Sequence, residues 1–384
     1  MASRTAAGRA AVKRRKSEIN NMKTNLSGFT GVLALSGVFA LASAAFAQDA
    51  KPYSIVNSTQ TLGTGGTDYV YADNADRQLY IPRGNQVLVF DLDTLKSIGS
   101  ITNARARGVA VDPVSGHGFC SSSPVVMWDT KTLKTMKTIP VEGRPDGIHF
   151  EPLTERIYVL SHSAPNVTVI DAKDGSVVGT IDLGGAPEQG ESDGAGHFYV
   201  DLEDKDQVAV IDVKTRAVTA KYDLAGKGGG PGGLGLDAKN HILFAMCHDP
   251  ATCVVLSATD GKILATLPIG TGTDGGGFNP NTMEAFSSQG NGTLTIIKEN
   301  SPTDFAVEQT VRTKSGARTC TLDTKNNQII LITIEPAPAT NAAPATVAAT
   351  PAPGTNQPAG GRRGGRGGGF GGPGLLDILV VGRQ

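Results

Sequence analysis

A short segment recurs along most of this 384-residue chain at intervals of about 40 residues. Its clearest copies are "RGVAVDP" (107–113), "DGIHFEP" (146–152) and "DGGGFNP" (274–280), in which Gly is followed, after two residues, by an apolar residue and then by Asp, Glu or Asn. Equivalent segments, some of them looser, begin at seven positions: 68, 107, 146, 188, 232, 274 and 318. A nearly fixed period of this length indicates a repeat architecture with seven units.

Each unit contains four short runs in which apolar and polar residues alternate. In the third unit these runs are "DGIHF", "RIYVLS", "NVTVID" and "SVVGTIDL", and the turn-forming segments "EPLTE", "HSAP" and "AKDG" separate them. Alternation with period two indicates β-strands, and Gly, Pro, Asp and Ser clusters indicate turns. Four antiparallel strands per unit, repeated seven times, predict an all-β fold, a seven-bladed β-propeller.

The two ends of the repeat region predict how the ring closes. The segment "YSIVNSTQTLG" (53–63) is a lone strand before the first unit, while the seventh unit lacks its later strands nearby. The segment "LLDILVV" (375–381) supplies the third strand of that unit. We expect the N-terminal strand to be its fourth, because this pairing leaves no free sheet edge in the ring.

The repeat also resembles a known family. The stretch "RIYVLSHSAPNVTVIDAKDGSVVGTIDLGG" (156–185) closely follows the YVTN-type β-propeller repeat, and "QLYIPRGNQVLVFDLDTLKSIGSI" and "HFYVDLEDKDQVAVIDVKTRAV" are similar to it. The resemblance covers nearly all of residues 53–335 and the last ten residues. It implies an exported seven-bladed propeller of the WD40/YVTN-like superfamily. It implies no particular activity, because propellers host unrelated functions.

Residues 1–47 have the features of an export signal. Met22-Lys23 is a short positive start, "GFTGVLALSGVFALA" is the apolar region, and "AFA" before Gln48 is a cleavage site. Met22 is a possible true start, with residues 1–21 as an upstream extension. An uncleaved anchor is the alternative, but the short apolar stretch and the cleavage motif favour cleavage and a periplasmic or secreted mature protein with no membrane span.

The charge of the expected mature chain gives no argument for nucleic-acid binding. The first 47 residues hold seven of the 35 basic and one of the 36 acidic residues. The expected mature chain therefore has 28 basic against 35 acidic residues, a net charge of −7.

Residues 335–374 form a Pro-, Ala- and Gly-rich insertion in the last blade, expected to be disordered. We expect this insertion to leave the ring beside the channel mouth and to bring Arg362, Arg363 and Arg366 towards it.

The four cysteines do not form a disulfide scaffold. Cys247 and Cys253 flank "HDPAT", a predicted hairpin loop, so that a local disulfide and two buried thiols are both open readings. Cys120 and Cys320 fall in different units and are expected in the core.

Charged residues occupy the first position of the inner strand in six of the seven units. These equivalent positions, all expected near the channel mouth, are Asp68, Arg107, Asp146, Glu188, Gly232, Asp274 and Arg318. They form either a binding funnel of mixed charge or ordinary solvated loop ends. Arg144, His162 and His248 are further binding candidates, because their loops share this face.

Two further residues, expected deeper in the central channel than the charged first positions, are candidates for acid–base chemistry. His149 and Glu191 occupy equivalent positions in adjacent blades, where most other units have small residues. A carboxylate next to an imidazole can serve proton transfer. A structural hydrogen bond between blades is the favoured reading, because a lone pair is a weak catalytic signature.

The sequence predicts no metal and no cofactor. His162, His248 and Cys247 do not provide three or four ligands on one element. The acidic run "DLEDKDQ" (201–207) lacks the ligand pattern of a calcium loop and is expected to be a solvated turn.

These features favour an exported, monomeric binding module that holds a protein, a glycan or a small molecule on the axial face. The alternative is a lactonase-like hydrolase at the channel mouth that uses His149, Glu188, Glu191 and Arg144. The sequence does not name the ligand.

Overall fold

The computed structural model describes residues 51–337 and 373–384. In this part of the chain, strands β1 to β28 form seven four-stranded antiparallel sheets, and there is no helix. The expected all-β fold with seven blades is confirmed. We number the blades in chain order, and in blades 1 to 6 the first strand is the innermost.

The strands before and in blades 1 to 3 are β1 (Tyr53–Thr64), β2 (Tyr71–Asp73), β3 (Gln78–Arg83), β4 (Gln86–Asp91), β5 (Ser97–Thr102), β6 (Val109–Asp112), β7 (His117–Cys120), β8 (Val125–Asp129), β9 (Thr135–Ile139), β10 (Pro145–Glu151), β11 (Arg156–Ser161), β12 (Val167–Asp171) and β13 (Val177–Ile181). Those of blades 4 and 5 are β14 (Pro187–Ser192), β15 (His197–Leu202), β16 (Gln207–Asp212), β17 (Ala217–Asp223), β18 (Pro231–Asp237), β19 (Ile242–Cys247), β20 (Thr252–Ser257) and β21 (Ile263–Pro268). Those of blades 6 and 7 are β22 (Thr273–Asn279), β23 (Glu284–Gln289), β24 (Thr293–Ser301), β25 (Asp304–Arg312), β26 (Thr319–Asp323), β27 (Gln328–Pro336) and β28 (Pro373–Arg383).

The last blade contains strands from both ends of the described chain. Its order from the axis to the rim is β26-β27-β28-β1, and β1 pairs with β28 from Tyr53↔Arg383 to Thr64↔Pro373. The Tyr53 hydroxyl donates a 2.6 Å hydrogen bond to Glu284 of blade 6, and the Arg383 guanidinium lies 4.3 Å from the centre of the Tyr53 ring. The N-terminal strand therefore closes the ring as predicted. The strands beside the insertion are longer than expected, because β27 ends at Pro336 and β28 begins at Pro373.

Apolar side chains form a separate core between each pair of neighbouring blades. The described residues contain seven such cores, one for every blade interface around the ring. Trp128, for example, is fully buried between blades 1 and 2. Burial of each large apolar side chain stabilises the fold by about 1.5–3 kcal/mol. Packing on both faces of every blade fixes the inner strands around the axis.

The Asp, Glu or Asn of the repeated segment is a turn residue. It ends the inner strand in six units and directly follows it in blade 4, and its side chain accepts hydrogen bonds from backbone N–H groups of the next turn. These residues are Asp73, Asp112, Glu151, Asp193, Asp237, Asn279 and Asp323. This bonding is the reason for Asp, Glu or Asn at the position, since their side-chain oxygens replace a backbone acceptor in tight turns.

The two readings of Cys247 and Cys253 are resolved by the faces that they occupy. Cys247 belongs to the core between blades 4 and 5, whereas Cys253 belongs to the core between blades 5 and 6. The two thiols therefore point to opposite faces of one blade, and both are free. Cys120 is buried in a core as expected, and Cys320 is half-buried beside one.

Several sequence-based predictions fall outside the described residues. They are the export signal with its cleavage site and the interior of the insertion, including Arg362, Arg363 and Arg366. Within residues 51–337 and 373–384, no helix is long and apolar enough to cross a membrane.

Candidate functional site

The inner strands of blades 3 to 6 are irregular at the first position of the repeat. Register shifts occur between Pro145 and Ile148 in β10 and between Pro187 and Gly190 in β14, and similar shifts occur in β18 and β22. Such bulges leave a residue unpaired and redirect its side chain. They present Asp146 and Glu188 at the end of the axis where each inner strand begins. We call this end the upper face.

Most of the charged residues predicted at the channel mouth contact one another. The Arg107 guanidinium lies 2.9 Å from Asp68 Oδ2 and 3.3 Å from Asp146 Oδ1. Arg318 Nε lies 2.9 Å from Asp274 Oδ2. These ion pairs link blade 2 with blades 1 and 3, and blade 6 with blade 7. The predicted layer at the upper face is therefore a network of opposite charges in contact.

Tyr69 joins this layer, although it was not among the residues predicted from the sequence. Its hydroxyl donates a 3.0 Å hydrogen bond to Glu188 Oε2, from blade 1 to blade 4. Burial raises the pKa of Tyr69 well above its usual value, so the phenol stays a donor.

Gln189 is the second residue that the sequence analysis missed. Its side-chain amide donates to the carbonyls of Leu234 (3.1 Å) and Gly276 (2.9 Å) and accepts from the N–H groups of the same two residues. One blade 4 side chain thus binds the inner strands of blades 5 and 6. Tyr69 and Gln189 occupy the second position of the repeated segment, directly after the position that is charged in six units. The other five units have Gly or Thr at this second position, so the larger side chains are the signal in the sequence.

Two cavities lie around the axis, and they have no lining residue in common. The upper pocket has a volume of about 870 Å³ and the lower cavity one of about 360 Å³. The upper pocket is lined mainly by the loops of blades 1 to 3, whereas Tyr69 and Gln189 line the lower cavity.

The upper pocket is rich in arginine. Four arginines line it: Arg105, Arg107, Arg144 and Arg318. Arg107 and Arg318 are bonded to carboxylates, but Arg105 and Arg144 are exposed and make no ion pair within the described ranges. Ser121, Ser122 and Ser123 add hydroxyl groups. The pocket therefore combines unneutralised positive charge with neutral hydrogen-bonding groups.

His149 and Glu191 line the lower cavity. His149 Nε2 accepts a 3.2 Å hydrogen bond from the N–H of Gly190 in the next blade, and burial lowers its pKa to about 4. Burial raises the pKa of Glu191 to about 8. No hydrogen bond or ion pair joins the two side chains in the described structure. His149 thus makes a bond between blades, but its partner is backbone.

His162 comes together with two of the predicted acids. Its Nε2 atom lies 3.0 Å from Asp146 Oδ2 and 3.3 Å from Glu188 Oε1, and both acidic side chains are only 6% exposed. Contact with Glu188 raises the pKa of His162. Burial and the nearby Glu188 raise the pKa of Asp146 to about 6. Burial opposes ionisation of Glu188, but its bonds, including that to His162, hold its pKa below the usual range.

His248 has a different environment. Its ring lies against Gly230 and Gly232, and its Nε2 atom would be 2.6 Å from a Cβ added to Gly232. Blade 5 has Gly232 at the first position of the repeat, where the other blades have a charged side chain, and the His248 imidazole fills the space of that missing side chain. Cys247 is in a core, so His162, His248 and Cys247 form no joint ligand set among the described residues.

The acidic run 201–207 contains the expected solvated turn at residues 203–206, but its first two residues, Asp201 and Leu202, are buried and belong to β15. Asp201 is fully buried and accepts a 2.6 Å hydrogen bond from the Gln189 N–H. Asp204 and Asp206 accept bonds from the N–H groups of Ala186 and Gly230, respectively. Asp201 requires its partner because a buried carboxylate must be hydrogen-bonded, whereas the exposed Asp204 and Asp206 fix the neighbouring loops from the surface.

Comparison with known proteins supports the fold and does not identify a family. No family model and no curated protein matches the chain. The U3-55K structure is similar over 73% of this chain and 92% of its own, with a TM-score of 0.63 and 10% identity. A chain in the crystal structure of the mitotic checkpoint complex is similar over 79% of this chain and 95% of its own, with a TM-score of 0.64 and 10% identity. These likenesses support the fold alone, and the YVTN resemblance stays a prediction.

Proposed function

We propose that this protein is an exported binding module that holds an anionic ligand in the upper pocket. The observation that carries the proposal is the pair Arg105 and Arg144, two exposed guanidinium groups without an ion pair in the described structure, on one concave surface. The pocket volume of about 870 Å³ lies in the range of ordinary ligand sites. The propeller fold itself is a common scaffold for binding.

The lining of the pocket defines the chemical class of the ligand. Arginine binds carboxylate and phosphate groups through two parallel N–H···O bonds. The exposed Asn85 and Ser123 offer hydrogen bonds to hydroxyl groups. Gly65 and Gly84 let two backbone segments of the pocket wall pack against each other, since a Cβ on Gly65 would lie 2.4 Å from the Cα of Gly84. An acidic sugar or a short acidic glycan combines these features.

The hydrolase alternative stays a prediction with less geometric support. It needs an acid–base pair at the bound ligand. His149 and Glu191 do not contact each other, and they line the lower cavity rather than the arginine-rich pocket. Glu188 and Arg144 remain near the upper face, but they form no reactive pair with each other in the described structure.

Binding to paired oligosaccharides tests the proposal. Uronate oligosaccharides and neutral oligosaccharides of equal length are titrated into wild-type protein and into the double variant Arg105→Gln/Arg144→Gln. We expect wild type to prefer the acidic series, and the double variant to lose this preference. Arg312→Gln is the matched control, because Arg312 is an exposed arginine at the end of β25 on the rim of blade 6. Equal affinity for both series, or an unaffected double variant, contradicts the proposal.

A further inference from the structure

We propose that Asp146, His162 and Glu188 form a binding site for one first-row divalent metal ion, such as Zn²⁺ or Mn²⁺. They are the one group of three or more possible metal-ligating side chains that comes together in residues 51–337 and 373–384. One ligand atom from each lies within 4.8 Å of the other two. The proposal does not depend on the anionic ligand, since the metal alone is the probe.

The distances between the candidate ligand atoms suit a small metal ion. His162 Nε2 is 3.0 Å from Asp146 Oδ2 and 3.3 Å from Glu188 Oε1. Ligands at about 2.0–2.2 Å from a tetrahedral Zn²⁺ are separated by roughly 3.3–3.6 Å. The two nitrogen–oxygen distances thus need only small changes to enclose an ion.

The His162 nitrogen points at the site. Its Nε2 atom is buried and lies within ion-pair distance of both carboxylates, and its contact with Glu188 raises the pKa of His162. A protonated imidazole satisfies these contacts, whereas an imidazole with an unprotonated Nε2 turns a third acceptor atom towards the two carboxylate oxygens. A metal ion between the imidazole and the carboxylates bonds all three atoms.

The other oxygen of each carboxylate is already held by a neighbouring residue. Arg107 lies 3.3 Å from Asp146 Oδ1, and the Tyr69 hydroxyl donates to Glu188 Oε2. Asp146 Oδ2 and Glu188 Oε1 are the oxygens that face His162 Nε2. Metal-binding carboxylates are typically oriented by such outer hydrogen bonds.

The donor set favours a first-row transition metal over Ca²⁺ and Mg²⁺. An imidazole nitrogen suits Zn²⁺ and similar ions, whereas Ca²⁺ and Mg²⁺ prefer oxygen ligands alone. The His162 side chain is 25% exposed and the two acidic side chains are 6% exposed, so the candidate ligand atoms are largely shielded from solvent. Three protein ligands leave the fourth position of a tetrahedral ion for water or for a bound molecule.

The test is calorimetric titration of untagged, chelator-treated protein with ZnCl₂, MnCl₂, CaCl₂ or MgCl₂ alone. We expect one Zn²⁺ or Mn²⁺ per chain, and binding of Ca²⁺ and Mg²⁺ at least about tenfold weaker, because they lack affinity for the imidazole. Absence of stoichiometric binding by Zn²⁺ and Mn²⁺, or tighter binding of Ca²⁺ or Mg²⁺, overturns the proposal.

Variants assign the site. His162→Gln and Glu188→Gln should each weaken binding by at least about tenfold, the scale of loss seen even when an outer-shell partner of a metal is removed. His197→Gln is the matched control, because His197 makes a 2.8 Å contact with Asp193 in an exposed pair elsewhere on blade 4. Thermal melts followed by circular dichroism verify folding.

His162→Gln alone decides the outcome if the buried Glu188 position does not tolerate change. Unchanged metal affinity in folded His162→Gln overturns the proposal. In wild type loaded with Mn²⁺, pulsed electron paramagnetic resonance should detect nitrogen coupling, and this coupling should vanish in His162→Gln. Coupling that persists in the variant also contradicts the assignment.

Discussion

The Tyr69 hydroxyl of blade 1 donates a 3.0 Å hydrogen bond to Glu188 Oε2 of blade 4. The two residues are separated by 119 positions in sequence and by two intervening blades. The bond helps to keep Glu188 ionised although its side chain is buried. This contact connects the stability of the ring with the orientation of a carboxylate at the upper face.

Tyr69→Phe should destabilise the protein by about 1.5–3 kcal/mol, because it removes a hydrogen bond to a charged group. Urea unfolding at neutral pH measures this change. Tyr222→Phe is the control, since the Tyr222 hydroxyl donates a 3.0 Å bond to the neutral carbonyl of Ala258 and should be worth about 0.5–1.5 kcal/mol. Equal losses of unfolding free energy in the two variants would mean that the bond to Glu188 is no stronger than a bond to a neutral carbonyl.

Removal of residues 51–64 should lower the unfolding midpoint sharply and promote association. These residues include all of β1, which pairs with β28 along its whole length. Without β1, the edge of β28 is exposed, and open edges of this kind invite pairing with other chains. Melting curves and size-exclusion chromatography, with a chain that begins at Ala50 as reference, measure both effects. An unchanged midpoint would mean that β1 does not close the ring.

The Glu191 carboxyl should make stability fall as pH rises. Burial raises its folded-state pKa from 4.5 to about 8, so the fold favours the neutral form. The associated stability is fully present below pH 4.5 and is lost as pH rises through about 8. Glu191→Gln should therefore gain stability relative to wild type over this interval. Urea unfolding across the interval measures it, with exposed Glu142→Gln as control, and parallel curves for wild type and Glu191→Gln would refute it.

The mature protein should begin at Gln48. The small-x-small motif "AFA" ends at Ala47 and follows an apolar segment of signal-peptide type. Intact-mass spectrometry of the exported protein measures the first residue. Recovery of the uncleaved chain from the membrane fraction would contradict export by cleavage.

The fold was predictable from sequence because its determinants are local and repeated. The alternating runs, the turn residues and the period of the "DGIHFEP" segment each report on one blade, and seven copies reinforce the reading. The orphan segments at 53–63 and 375–381 predicted the ring closure by their lack of partners. The opposite faces of Cys247 and Cys253 required the strand pairing, because the short loop between them is compatible with either reading.

The site was only partly predictable because its contacts join distant blades. The sequence placed Asp146, Glu188 and His162 at one face but did not bring them together. The bulges that redirect Asp146 and Glu188 follow from backbone register, which the repeat pattern does not specify. Likewise, His149 and Glu191 are equivalent in sequence, yet the His149 ring bonds the backbone of Gly190 instead of the carboxylate.

The most direct test compares the two cavities in one titration with an acidic oligosaccharide. Arg105→Gln/Arg144→Gln alters only the upper pocket, and His149→Gln/Glu191→Gln alters only the lower cavity. We predict that the upper variant loses at least about tenfold in affinity, because each hydrogen bond to a charged group is worth about 1.5–3 kcal/mol. The lower variant should bind like wild type. Loss of binding in the lower variant with full binding in the upper one would contradict the account.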